Sequence, residues 1–302
     1  MHWLSLLATL TFASFSLAYP NPTVVSGDTK LHDPTLCKDD SGIYFLYSSG
    51  VGIEIRTSTD RITWTYAGVV WPDGASWSDL YTNTTNGPLW APDSLLRSID
   101  YRVSERKSAV FFAKSSTGLP GSFSNEGLVI STTDGDNYNA IDPNLLLDRN
   151  TWYLSFGSFW TGIKGVLLNS RTGKTSSSTF TSLAERSGDH AIEASVIYKY
   201  GDYYYLFTSW DRCCLGTSST YNIRVGRSTS RNGAYVDAGG VALTSGGGTL
   251  VLETHDSVHG PGGQDLLTDT DGPILVYHYY TPTGNWLGIN HLDFSSGWPV
   301  VV

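Results

Sequence analysis

The sequence predicts an all-β chain folded as a five-bladed β-propeller, on three observations. A unit recurs in which an acidic or polar residue opens a short apolar run that a turn joins to an aromatic-rich run. Its copies start near positions 33, 93, 142, 193 and 264, and each repeat has room for four strands, as a propeller blade requires. Almost no stretch carries a sustained helical period of apolar residues.

The elements follow in chain order. The first copy is His32-Asp33-Pro34-Thr35-Leu36, with Gly42 turning the chain into Ile43-Tyr44-Phe45-Leu46-Tyr47. The second starts at Trp90-Ala91-Pro92-Asp93, but Ser94 to Lys107 is basic and poorly patterned: either a sequencing or splicing error has garbled it or, as a genuine segment, it predicts a distorted second blade, lost subsites or poor folding. The third is Ile141-Asp142-Pro143-Asn144-Leu145-Leu146 with Thr151-Trp152-Tyr153-Leu154-Ser155. The fourth is Ile192-Glu193-Ala194-Ser195-Val196-Ile197 with Gly201-Asp202-Tyr203-Tyr204-Tyr205-Leu206, and the fifth, weaker, Gly263-Gln264-Asp265-Leu266-Leu267 with Gly272-Pro273-Ile274-Leu275-Val276-Tyr277. Two β-prone runs joined by a turn of Asp, Gly or Asn are a hairpin signature. A two-sheet sandwich would not explain why an acidic group opens successive units.

Residues 1–18 hold an apolar run from Trp3 to Ala18, too short to span a bilayer, that closes on Ser16-Leu17-Ala18. They read as a signal peptide, with residues 19–302 as one secreted catalytic domain undivided by any linker. Asn83-Thr84-Thr85 is a glycosylation sequon that fits export. A net charge of −9 argues against nucleic acid as a partner, whose phosphates it repels; no membrane or subunit partner is read, and the chain is expected to be a monomer. Three cysteines allow one bridge: Cys213 and Cys214 either form a vicinal disulfide or stay as thiols. No Cys/His spacing reads as zinc, and neither a metal nor another cofactor is expected. The 10 Trp, 18 Tyr and 11 Phe suit a packed β-core or platforms for sugar rings.

The first strand of each blade lines the central channel, so Asp33, Asp142 and Glu193, read at one phase of three repeats, should meet at its mouth. Any one Asp-Pro is an ordinary turn device. Three acids at one phase repel each other and make poor structural choices, so they point to chemistry. A glycosidic bond is hydrolysed by an acid that protonates the leaving oxygen and a base that activates water. Inversion places the two about 6.5–9.5 Å apart.

His32-Asp33-Pro34, Trp90-Ala91-Pro92-Asp93, Asn139 to Asn144, Ser155 to Trp160, Ile192 to Ser195, Asp211-Arg212-Cys213-Cys214 and Tyr221 to Arg227 together resemble the arabinanases of glycoside hydrolase family 43. The resemblance covers nearly all of residues 19–302. It implies inverting endo-hydrolysis of the 1,5-α-L-arabinofuranosidic linkages of plant cell-wall arabinan, with arabinan as the partner. By matching motif, Asp33 would be the general base, Glu193 the general acid, and Asp142 the residue that raises the acid's pKa and orients it. Asn139, Ala140, Ile141 and Asp142 match one substrate-contacting stretch, and Ser158, Phe159 and Trp160 another. Trp90 would stack on a sugar ring, unless it is a buried structural tryptophan. Bacterial relatives hold a calcium ion with the His of a Gly-Pro-Gly-His motif; here Gly263 stands at that place, and the ion is not carried over. His278 reads as a satisfied core histidine. Two other readings stand beside this one: an exo-acting arabinofuranosidase or xylosidase of the same fold, and a carbohydrate-binding propeller that no longer catalyses.

Overall fold

The computed structural model describes residues 19–82, 85–93, 98–102 and 107–302. The signal-peptide reading of residues 1–18, and Asn83 and Thr84 of the sequon, lie outside the described residues. No helix among the described residues is long and apolar enough to cross a membrane. The strands form five sheets.

The innermost strands are Thr35–Lys38, Pro88–Asp93, Asn144–Asp148, Ile192–Tyr200 and His259–Asp269. Sheets three to five are simple antiparallel meanders of four strands in chain order. Sheet one gains an outer strand, Ser26–Gly27, laid parallel to Thr63–Val69. Strands in the middle of a sheet, covered on both faces, read as continuous apolar runs rather than alternating ones. Tyr44–Ser48 is buried at all five positions for this reason. The turn before it is an Asx turn: Asp39 Oδ1 accepts the backbone N–H groups of Ser41 and Ile43, and Gly42 takes a φ of 91°.

Five apolar clusters fill the gaps between successive sheets. Phe45, Tyr47 and Ile55 meet Leu89 and Ala113 between the first two. Phe112 and Val129 meet Leu154 and Phe156 between the next two. Tyr153 meets Leu206 and Trp210, and Phe207 meets Tyr277, at the two junctions that follow. The fifth cluster returns to the start, packing Leu36, Leu46 and Trp64 against Ile274, Leu287 and Ile289. Sheets that pack in a closed cycle are an all-β propeller. The N-terminal segment bridges the same closure, as Thr23 N–H donates to Ile289 O at 2.8 Å and Leu287 N–H to Thr29 O at 2.9 Å.

The expectation of a distorted second blade falls on Ser94 to Lys107, of which residues 94–97 and 103–106 lie outside the described residues. Ser98–Arg102 pairs without a break along Ser108–Lys114, and a single register shift, between Trp90 and Asp93, disturbs its pairing with Pro88–Asp93. A ladder is made by backbone groups, so a poorly patterned sequence still completes it.

Candidate active site

Each inner strand carries, just before it or within its first half or so, a residue in left-handed backbone: Asp33 at φ 48°, Ala91 at 41°, Asp142 at 52°, Ala194 at 50° and Gly263 at 57°. Non-glycine residues adopt this region rarely and at a cost of about 1 kcal/mol or more, and such strain gathers at functional sites. The five mark one repeat phase, and they correct the sequence alignment of the acids. Asp33 and Asp142 share this phase, whereas Glu193 stands one residue earlier, level with His32, Trp90 and Ile141. The left-handed kink turns both positions toward the mouth, so an acid one residue out of phase still joins the other two.

Side chains two residues past the kink tie neighbouring inner strands together. Asp93 Oδ2 accepts Asn144 Nδ2–H at 2.8 Å and Leu145 N–H at 2.9 Å, and Asn144 Oδ1 accepts Ile197 N–H at 3.0 Å. Asp265 Oδ2 accepts the Thr35 hydroxyl at 2.6 Å and Leu36 N–H at 3.0 Å, across the closure of the ring. Burial, then the charge of Asp93, pushes the Asp265 carboxyl up to about 7.

Over these clasps opens a cavity of about 600 Å³ whose wall includes His32, Asp33, Ser49, Trp90, Ile141, Asp142, Phe159, Glu193, Arg212, Cys213, Cys214 and Tyr221. That volume lies within the range of small-ligand sites. Asp33 Oδ2 accepts the Ser49 hydroxyl at 2.9 Å, and Ser49 Oγ in turn accepts Ala91 N–H at 2.9 Å. Asp142 Oδ2 accepts Ala194 N–H at 2.9 Å, which fixes the turn that carries Glu193. Glu193 takes the Ser158 hydroxyl on Oε2 at 2.7 Å and the Tyr221 hydroxyl on Oε1. Burial pushes the Tyr221 hydroxyl well above its ordinary range, and the charges of Glu193, Asp142 and Asp33 add to the effect.

The other sequence-predicted residues divide. Trp90, Ile141 and Phe159 reach the cavity, with the Arg212 guanidinium 5.5 Å from the Phe159 ring centre. Asn139 and Ala140 lie behind the wall, 1% and 0% exposed, where Ser108 Oγ donates to Asn139 Oδ1 and Ala140 N–H donates to Thr132 Oγ1. Ser158 is buried against Glu193, and Trp160 stands beside Phe159 with ring centres 6.4 Å apart. Sequence reasoning gave no site role to Ser49, His32 or Tyr221: His32 and Tyr221 stand in the quoted motifs, and Ser49 stands in none of them. Cys213 and Cys214 form the vicinal disulfide, at the cavity wall, and Cys37 stands outside it.

The residues at Gly263 do not fit a channel cation held as in the bacterial motif. A Cβ there would lie 2.5 Å from Asp33 Oδ1 and 2.8 Å from the His278 ring. His278 is fully buried, its Nδ1 accepting Asp33 N–H at 3.2 Å and its Nε2 3.1 Å from the Tyr280 hydroxyl, so both ring nitrogens are engaged by the protein. Burial, then the neighbouring His32, holds it well below the usual histidine range and therefore neutral.

The family model described as glycosyl hydrolases family 43 matches residues 19–299. The arabinan endo-1,5-alpha-L-arabinosidase A of Aspergillus niger is 41% identical over 321 residues, covering 99% of each chain. The structure of a family 43 endo-arabinanase from Bacillus licheniformis superposes with a TM-score of 0.84 at 36% identity, over 92% of this chain and 99% of that one. An exo-1,5-alpha-L-arabinanase from a bovine ruminal metagenomic library does so at 0.84 and 32%, over 90% and 97%. A match across nearly the whole of residues 19–302, on a closed ring of sheets that gathers three carboxylates at one mouth, establishes that this chain belongs to glycosyl hydrolase family 43.

Proposed function

We propose that the chain is a secreted arabinan endo-1,5-α-L-arabinosidase that inverts at the anomeric carbon, built as one five-bladed propeller domain with each of the five sheets a blade. The observation that carries the reading is the gathering of Asp33, Asp142 and Glu193 around Tyr221 at one cavity. In this mechanism Asp33 takes a proton from a water that attacks the anomeric carbon, and Glu193 gives its proton to the departing glycosidic oxygen as the carbon–oxygen bond breaks. The Ser49 hydroxyl donates to Asp33 Oδ2 and so fixes the orientation of the base. Serine and tyrosine hydroxyls both donate and accept, so Ser158 and Tyr221 hold the Glu193 carboxyl in either protonation state. The negative charge of Asp142 favours the protonated acid, and its bond to Ala194 N–H fixes where that acid points. Trp90 and Phe159 offer rings to the sugar faces.

Endo rather than exo cleavage rests on the name of the Aspergillus niger relative, since propellers alike in shape carry both modes. Incubation with linear debranched arabinan tests the whole reading: early release of short oligosaccharides with inverted anomers is expected, and release of arabinose alone overturns the endo mode. Glu193→Ala should abolish turnover while oligosaccharide binding survives; an unchanged rate removes Glu193 as the acid. Secretion predicts a mature N-terminus near Tyr19, read by mass spectrometry of the exported protein.

A further inference from the structure

The disulfide at the cavity wall has a neighbour that the hydrolytic mechanism does not use. The loop carrying it runs between the strands Tyr203–Trp210 and Asn222–Ser228, with Cys213 half-buried and Cys214 exposed. Its Cys214 end is fixed in place, for Cys214 N–H donates to the Tyr280 hydroxyl at 2.9 Å. Cys214 Sγ lies 3.8 Å from His32 Nε2, which precedes the inner strand of another sheet 182 residues away, and both sulfurs and a His32 ring nitrogen lie within 4.8 Å of one another. A tetrahedral ion with bonds of about 2.3 Å to sulfur and 2.0–2.1 Å to nitrogen separates those two donors by about 3.6 Å. The observed spacing is within 0.2 Å of that edge.

We infer that Cys213, Cys214 and His32, once the disulfide is reduced, form a redox-gated site for a thiophilic divalent cation such as Zn²⁺ or Cd²⁺. A small-molecule dithiol supplies the two electrons. Its thiolate attacks the exposed sulfur, the mixed disulfide resolves to the oxidised cyclic reductant, and two protein thiols remain. The cation then displaces two protons as both sulfurs bind it as thiolates. Thiolates and imidazole together select soft or borderline cations over calcium or magnesium. Oxidised, the same sulfurs are bonded to each other and offer no thiolate, which is the gate. His32 Nδ1 lies 3.3 Å from Asn285 Nδ2, and turning that amide over presents its oxygen to Nδ1–H, the tautomer that leaves Nε2 free for the ion. His32 Nε2 also lies 3.5 Å from Asp33 Oδ1. A bound cation therefore sits beside the proposed base and closes the cleft; this consequence alone rests on the hydrolase reading.

The experiment titrates Cd²⁺ into the Cys37→Ser chain, which removes the third cysteine, in oxidised and dithiol-reduced forms. Binding is read by the ultraviolet absorption of cadmium thiolate and by equilibrium dialysis. One ion per reduced chain and none at this site in the oxidised chain is expected. His32→Ala should weaken binding about tenfold or more, and Cys214→Ser should remove the thiolate band. Circular dichroism of each variant checks its fold, and the oxidised and reduced forms of one sequence need no substitution at the site. No binding on reduction, equal binding in both forms, or an unmoved affinity in a folded His32→Ala chain overturns the site. Arabinan hydrolysis, measured in parallel, should fall as the reduced chain fills with Cd²⁺ and hold in the oxidised chain. Failure of the oxidised chain to cleave arabinan overturns the hydrolase reading and leaves the metal result standing; tight Cd²⁺ binding without inhibition overturns the closure of the cleft.

Discussion

Tyr221 links the carboxylates to the packing behind them. Its ring lies between the backbone of Gly262, where a Cβ would come within 2.0 Å of it, and the His278 ring, whose centre is 6.1 Å away. Its hydroxyl donates to Glu193. A donor to a carboxylate favours the charged form, so its removal raises the acid's pKa. Tyr221→Phe should therefore move the alkaline limb of the pH–rate profile upward while the protein stays folded, as pH profiles of kcat/KM would show; a limb that stays put separates Tyr221 from the acid. Gly263 is constrained differently, by a left-handed φ and by Asp33 and His278 against its open side. Gly263→Ala should cost about 1–3 kcal/mol of stability and displace Asp33, lowering kcat further than a stability loss of that size explains. Thermal unfolding and kinetics on one sample check both parts. Asp33, Asp142 and Glu193 were legible as single residues because acids at the start of a repeat are conspicuous. Ser49 and Tyr221 were not, because their meaning lies in a partner 16 and 28 residues away.

At the scale of the strand, the clasp residues decide how inner strands sit against each other. Asp265 is the telling one, buried, close to Asp93, and raised to about 7 against an ordinary 3.8. A carboxyl whose folded pKa is raised binds more protons folded than unfolded, so stability falls as pH rises from about 4 to about 7 and is flat beyond. A shift of three units amounts to an upper figure of ~4 kcal/mol. Asp269 works at lower pH: against the burial that would raise it, hydrogen bonds from Tyr44 and Lys38 hold it down at about 2, and its stabilisation is lost as pH falls from about 4 through 2. Between pH 4 and 7 Asp265 is opposed by His278, held neutral by burial, whose unfolded form takes up a proton as pH falls below about 6.5. Asp265→Asn, whose amide oxygen still accepts from Thr35 and Leu36, should remove the part of the melting-temperature profile that falls with rising pH, read as the difference between the two chains across that window; identical pH profiles would mean the charge is held elsewhere. The second blade belongs to this scale too. Ser98–Arg102 pairs on both sides despite its irregular sequence, since a strand held between two partners draws its hydrogen bonds from the backbone.

For the whole molecule the decisive feature is closure of the ring. Four apolar junctions join sheets adjacent in the chain, and the fifth joins the last sheet to the first. That fifth junction is held by Leu36, Trp64 and Leu287, by the Asp265 clasp, and by the N-terminal segment through Thr23 and Thr29. Deleting residues 19–29 should lower the melting temperature and open the first and last sheets to hydrogen exchange before the middle three, because the hydrogen bonds and packing that this segment supplies sit at that seam. Uniform loss of protection would mean the seam and the ring unfold as one. The same closure carries Asp33 to His278 and His32 to Cys214.

What the sequence by itself determined is the local part. Hairpin turns, apolar runs and the recurrence of an opening unit follow from propensities acting within a few residues, and they yielded an all-β propeller and three of its acids. Tertiary structure alone decided the phase of Glu193 and the partners of each acid. It also decided the pairing of Ser98–Arg102, the burial of Asn139 and Ala140, and the placing of a disulfide beside a histidine. Backbone kinks and contacts between residues as much as 253 positions apart in the site set these features. Such contacts exist only once the ring has closed, and no local propensity encodes them.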